Sequence, residues 1–277
     1  MLELKPDTIA GVRCAVYDSG PADARAAVVF VHGNPGPADD WERLAPAAAG
    51  FARVLALDLP GFGRAARPRA FDYTIRGYAR QLGALIEARG IERVHLVLHD
   101  FGGGFGLRWA LDHPRQLASL ALIDCGVLEN YRWHRYARIW QTPILGELFQ
   151  WLSTARTLRA VLNRDNPRPL PRAFTDRIAR FADWGHRRAV LKLYRATRDP
   201  LAAFPDLSQI RHWQDLPVCV IWGEADPYLP AAYAQRQKDY FPRAEVHVLE
   251  GLGHWPFVDD PAAVENILVP FLRRVAT

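Results

Sequence analysis

The sequence of 277 residues predicts a doubly wound α/β fold, in which helices cover both faces of a mostly parallel sheet. Short apolar segments alternate along the chain with longer amphipathic ones. The apolar segments are continuous rather than alternating, which is typical of strands that are buried on both faces. One long stretch, between Asp124 and Pro217, lacks strand signals and indicates a helical insertion.

Six apolar segments are predicted to be strands, and four amphipathic segments are predicted to be helices. The strands are residues 26–31, 53–58, 93–98, 118–123, 217–221 and 244–249. The helices are residues 74–89, 103–113, 230–240 and 261–275. Because strands and helices alternate, the strands are expected to run parallel and to end at one edge of the sheet, where ligands bind.

The insertion divides the predicted core domain into two parts. A crossover between parallel strands needs only about a dozen residues, so the much longer stretch is expected to form a helical cap over the sheet. Prolines predict helix breaks at residue 143, at residues 166–171 and at residues 199–205. We therefore predict a core α/β domain at 1–125 and 214–277, with the cap at 126–213.

The predicted cap is basic. It holds 15 arginines and one lysine against seven acidic residues, a net charge of +9, whereas the rest of the chain carries −4. The arginines are dispersed and form no recognisable nucleic-acid motif, which favours a solvated helical surface. We expect no nucleic-acid partner.

Signals for a membrane span, for secretion or for a disulfide framework are missing. No apolar run approaches about 18 residues, and the N-terminus lacks the apolar stretch of a secretory signal. Cys14, Cys125 and Cys219 are an odd number with wide spacing, unlike a disulfide framework or a metal site. We expect a cytoplasmic protein without a membrane partner; the sequence does not indicate its oligomeric state.

A strand-to-helix turn rich in glycine follows the third predicted strand, with the sequence HDFGGG at residues 99–104. A nucleophile elbow has this layout: a strand, one residue, a nucleophile and then small residues that permit the sharp turn. The usual signature is G-x-S-x-G, and here Asp100 occupies the position of the nucleophile. The motif alone is weak, because glycines after a strand often form only a tight turn.

Two further polar motifs follow later strands. Asp226 lies in GEADP after the fifth predicted strand, and His254 lies in GLGHWPF after the sixth. Nucleophile, acid and histidine thus follow three different strands, so that in a parallel sheet they can meet at one edge. Asp124, at the end of the fourth strand, is a rival for the acid that orients His254, but Asp226 is favoured.

The segment HGNPG after the first predicted strand indicates an oxyanion hole. The backbone N–H groups of Asn34 and Phe101 are predicted to point at developing negative charge.

Together these motifs resemble the α/β-hydrolase fold superfamily. HGNPG, DLPGFG, HDFGG, GEADPYLP and GHWPFVDDP stand in the order and spacing of that family. In having an aspartate at the elbow, the chain resembles one branch of that superfamily, which contains epoxide hydrolases, haloalkane dehalogenases and haloacetate dehalogenases. Serine esterases, lipases and C–C hydrolases resemble the frame but not the elbow. The resemblance implies a sheet with an inserted helical cap and the triad Asp100, His254 and Asp226.

The type of nucleophile points to the reaction. A carboxylate that attacks a saturated carbon forms an ester of itself, which water can cleave, whereas a serine would form a stable ether. His254 would activate that water, and Asp226 would orient His254. The reaction needs no metal and no organic cofactor, and we expect neither.

The leaving group separates the two branches. Epoxide hydrolases share two tyrosines in the cap, whose hydroxyl groups donate hydrogen bonds to the epoxide oxygen. Tyr194, in KLYR, is similar to the second. The expected position of the first holds Ile139, and Tyr131 or Tyr136 could substitute. An epoxide hydrolase that yields a diol is therefore the favoured interpretation.

A departing halide would instead need N–H donors. Asn34 is similar to a halide-binding residue of haloalkane dehalogenases, but Phe101 stands where they usually carry a tryptophan. A cap tryptophan could compensate: Trp133, Trp140 or Trp151. Haloacetate dehalogenases usually carry an arginine after the nucleophile, which is missing, and their cap His-Trp pair is only loosely similar to Trp133-His134. A haloalkane or haloacetate dehalogenase is the alternative.

Aromatic residues are expected to line an apolar pocket above Asp100, namely Trp133, His134, Tyr136, Trp140 and Trp255. Such a pocket favours a small, hydrophobic substrate. A remote alternative is a non-catalytic binding module with the hydrolase fold. The intact acid, histidine and oxyanion turn disfavour it.

Overall fold

A single sheet of eight strands, in the order β1-β2-β4-β3-β5-β6-β7-β8, forms the centre of the molecule. The computed structural model describes residues 2–199, 201–202, 210 and 213–277. The strands are β1 Lys5–Ile9, β2 Val12–Ser19, β3 Ala26–Val31, β4 Arg53–Leu57, β5 Arg93–His99, β6 Leu117–Ile123, β7 Val218–Gly223 and β8 Glu245–Leu249. The six predicted strands correspond to β3–β8, and their ends differ by no more than two residues.

The first two strands are not among the predicted ones. They form an antiparallel hairpin around Gly11, and β2 pairs antiparallel with β4. All other neighbouring strands are parallel. Exposed and buried residues are mixed along β1 and β2, because this edge of the sheet is partly open to solvent. The continuous apolar signal that marks the buried strands is therefore missing there.

The helices of the described residues are α1 Leu44–Ala49, α2 Ile75–Ala88, α3 Phe101–Asp112, α4 Arg135–Gln141, α5 Leu145–Leu152, α6 Ala155–Asp165, α7 Arg172–Phe181, α8 Trp184–Ala196, α9 Ala232–Arg236, α10 Pro256–Asp259 and α11 Pro261–Ala276. Two differ clearly from the prediction. The helix predicted at 103–113 begins two residues earlier, immediately after Asp100. The helix predicted at 230–240 is shorter, because a 3₁₀ turn, Gln237–Asp239, follows α9.

The sheet has one hydrophobic core on each face. Val29 and Val31 of β3 belong to the core that α2 and α3 cover. Val28 and Phe30 belong to the core that α1 and α11 cover. Successive side chains of a strand point to opposite faces, so a strand that serves two cores must be apolar throughout. This explains the continuous apolar segments in the sequence.

Within the part of the chain that the structure describes, five helices, α4 to α8, lie between β6 and β7. α4 ends before Pro143 and α6 ends at Asp165, as the prolines predict. The cap boundaries at 126 and 213 remain a prediction, and residues 203–209 and 211–212, near its carboxyl end, lie outside the described residues. No helix in the described part of the chain combines the length and the apolar character needed to cross a membrane.

Candidate active site

Asp100 lies at the sharp turn between β5 and α3. Its φ of 52° is in the left-handed region, which is unusual for a residue with a side chain. Gly102 permits the turn, because a Cβ there would lie 2.2 Å from the carbonyl oxygen of Val31. A Cβ at Gly33 would lie 2.2 Å from Asp100 Oδ1. Small residues on both sides thus let the backbone present this carboxylate at the edge of the sheet.

Two backbone amides face the Asp100 carboxylate. The Asn34 N–H donates to Asp100 Oδ1 at 2.7 Å. The Phe101 N–H also bonds to the carboxylate; it opens α3, and a helix N-terminus favours negative charge. These are the two amides that the sequence predicts for the oxyanion hole. Their placement can stabilise negative charge that develops on Oδ1.

His254 lies between two carboxylates. Its Nδ1 is 2.7 Å from Asp226 Oδ2, and its Nε2 is 3.4 Å from Asp100 Oδ2. The side chains of His254 and Asp226 are 2% and 0% exposed, whereas that of Asp100 is 15% exposed. The three residues predicted from three strand ends are therefore in contact, and the most accessible of them is the candidate nucleophile.

The charges of these residues support one another. Burial alone would lower the pKa of His254, but the charges and hydrogen bonds of Asp226 and Asp100 raise it well above its usual value. Burial alone would raise the pKa of Asp100, but the hydrogen bond and charge of His254 lower it. At neutral pH the free site therefore holds a carboxylate beside an imidazolium. Asp100 is thus in the ionised form that nucleophilic attack requires.

Asp226 is held in place by the loop that follows β7. Its Oδ1 accepts the backbone N–H groups of Tyr228, at 2.7 Å, and Leu229, at 3.0 Å. Its Oδ2 is thereby left to face His254. Asp226 is thus the acid in hydrogen-bond contact with the histidine, in line with the preference drawn from the sequence.

Asp124, the rival acid, has a different partner. Its Oδ1 accepts the Gly223 N–H at 2.9 Å. Within the described residues, Asp124, Asp226 and His254 are the only group of potential metal ligands that lie close together. The Nδ1 of His254 already bonds to Asp226, so this group is an acid–base cluster rather than an open metal site.

His99 and Tyr228 also surround His254, and neither is among the predicted site residues. His99 Nε2–H donates to the His254 carbonyl oxygen at 2.8 Å. Burial and the neighbouring His254 lower the pKa of His99 to about 3, so it stays neutral. The Tyr228 ring packs edge-on against His254, with 5.1 Å between centroids. Both lie within two residues of a triad member, and that proximity in sequence could have identified them.

A cavity of about 390 Å³ opens above Asp100, a size suited to a ligand of moderate size. Its walls near Asp100 include Asn34, Tyr194 and His254. All five predicted pocket residues line it: Trp133, His134, Tyr136, Trp140 and Trp255. A further part of its wall, which the sequence does not predict, is formed by aliphatic residues of α6, α7 and α8, namely Leu158, Val161, Leu162, Ile178 and Val190.

Of the three cap tyrosines considered as donors, Tyr194 keeps its hydroxyl proton available. Its oxygen accepts the Asn34 side-chain N–H at 3.5 Å, and no described residue accepts its proton. Burial raises its pKa well above the usual value, so the hydroxyl is protonated. The hydroxyl of Tyr131 donates to the Tyr228 carbonyl and that of Tyr136 to Asp165. Neither can replace the missing first tyrosine.

The three cap tryptophans considered as halide donors also differ in whether their indole N–H is already engaged. The Trp133 indole N–H donates to the carbonyl of Thr197 at 2.8 Å. Trp151 is 63% exposed and does not line the cavity. Trp140 does line it, and its buried Nε1 has no partner among the described residues. Trp140 is therefore the cap tryptophan of the cavity wall whose indole N–H is not engaged by a described residue.

The described walls of the cavity offer no free cation near Asp100. Arg187 is the only arginine or lysine among the lining residues, and it donates to the backbone carbonyls of Gln150, Ser153 and Ala182. Burial lowers the pKa of His134 to about 4, so this residue is neutral as well. The cavity therefore suits an uncharged ligand better than an anion.

Comparisons with known proteins agree with this architecture. A family model described as the alpha/beta hydrolase fold matches residues 26–261. A fluoroacetate dehalogenase from Burkholderia sp. is 38% identical over 117 residues, which cover 41% of this chain and 37% of that protein. A haloalkane dehalogenase from Agrobacterium fabrum is 36% identical over 105 residues, 38% of this chain and 34% of that protein.

Solved structures extend the similarity to the whole fold. A meta-cleavage product hydrolase from Pseudomonas fluorescens superimposes with a TM-score of 0.82 at 20% identity, covering 98% of this chain and 97% of that one. At this level of identity the likeness concerns the fold alone.

Proposed function

Since the chain belongs to the α/β hydrolase fold family, we propose that it is a hydrolase in which Asp100 attacks a saturated carbon, and that its substrate is an epoxide. The observation that carries the proposal is an ionised aspartate at the elbow, with His254 3.4 Å away and a protonated Tyr194 in the same cavity. The product would be a vicinal diol.

In the first step Asp100 Oδ2 attacks an epoxide carbon. A C–O bond forms to the carboxylate, and the C–O bond of the ring breaks. The oxygen that is released takes the proton of Tyr194, which leaves a phenolate. Oδ1 becomes the carbonyl oxygen of the new ester and remains beside the amides of Asn34 and Phe101. Those amides then polarise the ester for the second step.

In the second step His254 takes a proton from water, and the hydroxide attacks the ester carbon of Asp100. Before this step His254 must lose the proton that it carries in the free site, and the Tyr194 phenolate formed in the first step takes that proton. Esterification removes the charge of Asp100, one of the two charges that raise the pKa of His254. The pKa therefore falls when the ester forms, which makes His254 available as a base. On ester cleavage the departing diol oxygen takes the proton from His254, and the Asp100 carboxylic acid then gives its proton to His254, which restores the free site.

A haloalkane dehalogenase is the second candidate. The buried Nε1 of Trp140, which has no partner among the described residues, and the side-chain N–H of Asn34 could both donate to a departing halide. The similarity to the haloalkane dehalogenase supports this candidate. A haloacetate is less well accommodated, because no free cation near Asp100 would bind its carboxylate and the negative charge of Asp100 would repel it.

A single-turnover experiment in H₂¹⁸O tests the proposal. Enzyme in excess over styrene oxide should give an unlabelled diol in the first turnover and ¹⁸O in the Asp100 side chain, because the oxygen transferred to product comes from Asp100. The Asp100→Asn variant should form no diol. Labelled diol in the first turnover would mean that water attacks the epoxide directly. Turnover of 1-bromobutane without turnover of styrene oxide would favour the second candidate.

A further inference from the structure

Asp124 is a buried carboxyl group that the proposed mechanism does not use. It follows β6 with a φ of 43° and is 0% exposed. Its Oδ1 accepts the Gly223 N–H, but its buried Oδ2 has no hydrogen-bond donor among the described residues. An ionised carboxylate with one bare oxygen is costly in such a place. A protonated Oδ2 would instead act as a donor and needs only an acceptor.

Asp226 is a neighbouring carboxylate that can serve as this acceptor. One ligand atom each of Asp124, Asp226 and His254 lie within 4.8 Å of one another. Two buried carboxyl groups this close do not both ionise, because their repulsion raises the proton affinity of one of them. Asp226 is the better stabilised anion, since it accepts two backbone amides and faces the His254 imidazolium. The shared proton therefore belongs on Asp124.

We propose that Asp124 stays protonated at neutral pH and donates a hydrogen bond to Asp226, which makes it a positioning residue for the triad. Its importance for catalysis rests on the proposed function, in which Asp226 orients His254. The hydrogen bond satisfies Asp124 Oδ2 and fixes the Asp226 carboxylate. It also withdraws charge from Asp226, which weakens the pull of that carboxylate on the proton of His254.

The electrostatics of the surrounding groups agree with this arrangement. Burial raises the pKa of Asp124 well above its usual value, and the charge of Asp226 adds to that effect. The cation of His254 acts in the opposite direction, but its Nδ1 bonds to Asp226. Other titratable neighbours are His99, which is neutral, Asp100, which lies on the Nε2 side of His254, and Cys125, whose thiol pKa burial raises well above its usual value.

The pH dependence of kcat in two variants, Asp124→Ala and Asp124→Asn, distinguishes a protonated Asp124 from an ionised one. Ester hydrolysis requires neutral His254, so the acidic limb of kcat against pH reports the pKa of His254 in the intermediate. If Asp124 donates to Asp226, Asp124→Ala should make Asp226 more basic and move the limb up by about one pH unit. Asp124→Asn keeps an N–H donor and should leave the limb in place. A downward shift in Asp124→Asn would mean that Asp124 is ionised, and would overturn the proposal.

Infrared difference spectroscopy provides a test that needs neither substrate nor the alanine variant. The wild-type protein at pH 9 should show the C=O stretch of a protonated carboxylic acid, and Asp124→Asn should lack it. Asp40 is a matched control, because its pKa of about 7 makes it ionised at that pH; Asp40→Asn should keep the band. Absence of a band that Asp124→Asn removes would overturn the proposal. Lack of epoxide turnover would count only against the proposed function.

Discussion

The hydroxyl of Tyr194 separates the two candidate reactions at the scale of single residues. An alkoxide released from an epoxide is a strong base and needs a proton, whereas a halide leaves as a stable anion and needs only weak N–H donors. Tyr194 is protonated and shares a hydrogen bond with Asn34, whose backbone N–H holds Asp100. The hydroxyl is thus coupled to the nucleophile through one residue.

Replacing Tyr194 with phenylalanine should lower kcat/KM for styrene oxide by about 100-fold, within the range for loss of a general acid. Turnover of a bromoalkane should change little. Steady-state kinetics on both substrates measure the two effects. Tyr131→Phe is the matched control, because its hydroxyl is engaged with the Tyr228 carbonyl. Equal losses in both variants would exclude Tyr194 as the proton donor.

Among single residues, the sequence predicts the positions of those that directly follow a strand. Asp100, Asp226 and His254 could be predicted to meet, because the carboxyl ends of parallel strands share one edge of the sheet. The free Trp140 indole and the engaged hydroxyls of Tyr131 and Tyr136 could not be predicted. They depend on how short helices pack on one another, and local sequence carries no direct signal for that packing.

At the scale of elements, a buried ion pair joins α7 to the core. Arg177 of α7 contacts Asp40, in the 3₁₀ turn that follows β3, at 3.1 Å. The side chain of Asp40 is 3% exposed. Burial raises its pKa to about 7 even though Arg177 opposes the shift. This contact therefore couples the attachment of α7 to the protonation of Asp40.

Because of Asp40, the free energy of unfolding should fall as the pH rises. Its pKa is raised in the folded state relative to the value of 3.8 for an unperturbed aspartate, so the folded protein binds this proton more tightly than the unfolded chain. The stabilisation is complete below about pH 4 and is lost as the pH rises towards 7. Urea unfolding at pH 4.5 and 7.5 should show this loss in the wild type and a smaller one in Asp40→Asn.

A surface aspartate provides the control for that experiment. Asp215 pairs with Arg243 and is 81% exposed, so Asp215→Asn should retain the wild-type pH dependence. If Asp40→Asn and Asp215→Asn had the same dependence, Asp40 would not be the group responsible.

The elements themselves follow from the sequence to different degrees. The strands β3 to β7 could be predicted because their mostly apolar, buried residues serve two cores, whereas β8 is a more exposed edge strand that its valines and leucine predict. The hairpin of β1 and β2 could not, because it lies at the edge of the sheet, where exposed residues interrupt the apolar pattern. Its place beside β4 results from long-range pairing, which a local pattern does not specify.

At the scale of the whole molecule, the cavity lies between the helices α4 to α8 and the catalytic edge of the sheet. Aromatic and polar residues line it beside Asp100, and aliphatic residues of α6, α7 and α8 form another part of its wall. Arg187, the one arginine among the described lining residues, is occupied by backbone carbonyls. The molecule is thus suited to a neutral substrate with a reactive group at one end and an apolar chain at the other.

A series of terminal epoxides should reveal this shape. Each methylene group that enters the aliphatic part should contribute about 0.8 kcal/mol, roughly a fourfold rise in kcat/KM, until the cavity is full. Val161→Trp would fill part of the aliphatic region and should reduce kcat/KM for long epoxides while sparing short ones. Equal kcat/KM across the series would show that the aliphatic part does not hold the substrate.

The central claim is that Asp100 forms a covalent ester, and intact mass spectrometry of the His254→Gln variant tests it most directly. This variant retains the nucleophile but lacks the base, so the ester should accumulate. With styrene oxide, the protein mass should rise by the mass of the whole epoxide, and peptide mapping should place the adduct on Asp100. Asp100→Asn combined with His254→Gln should show no adduct. An adduct on another residue, or turnover at the wild-type rate without an adduct, would contradict the account.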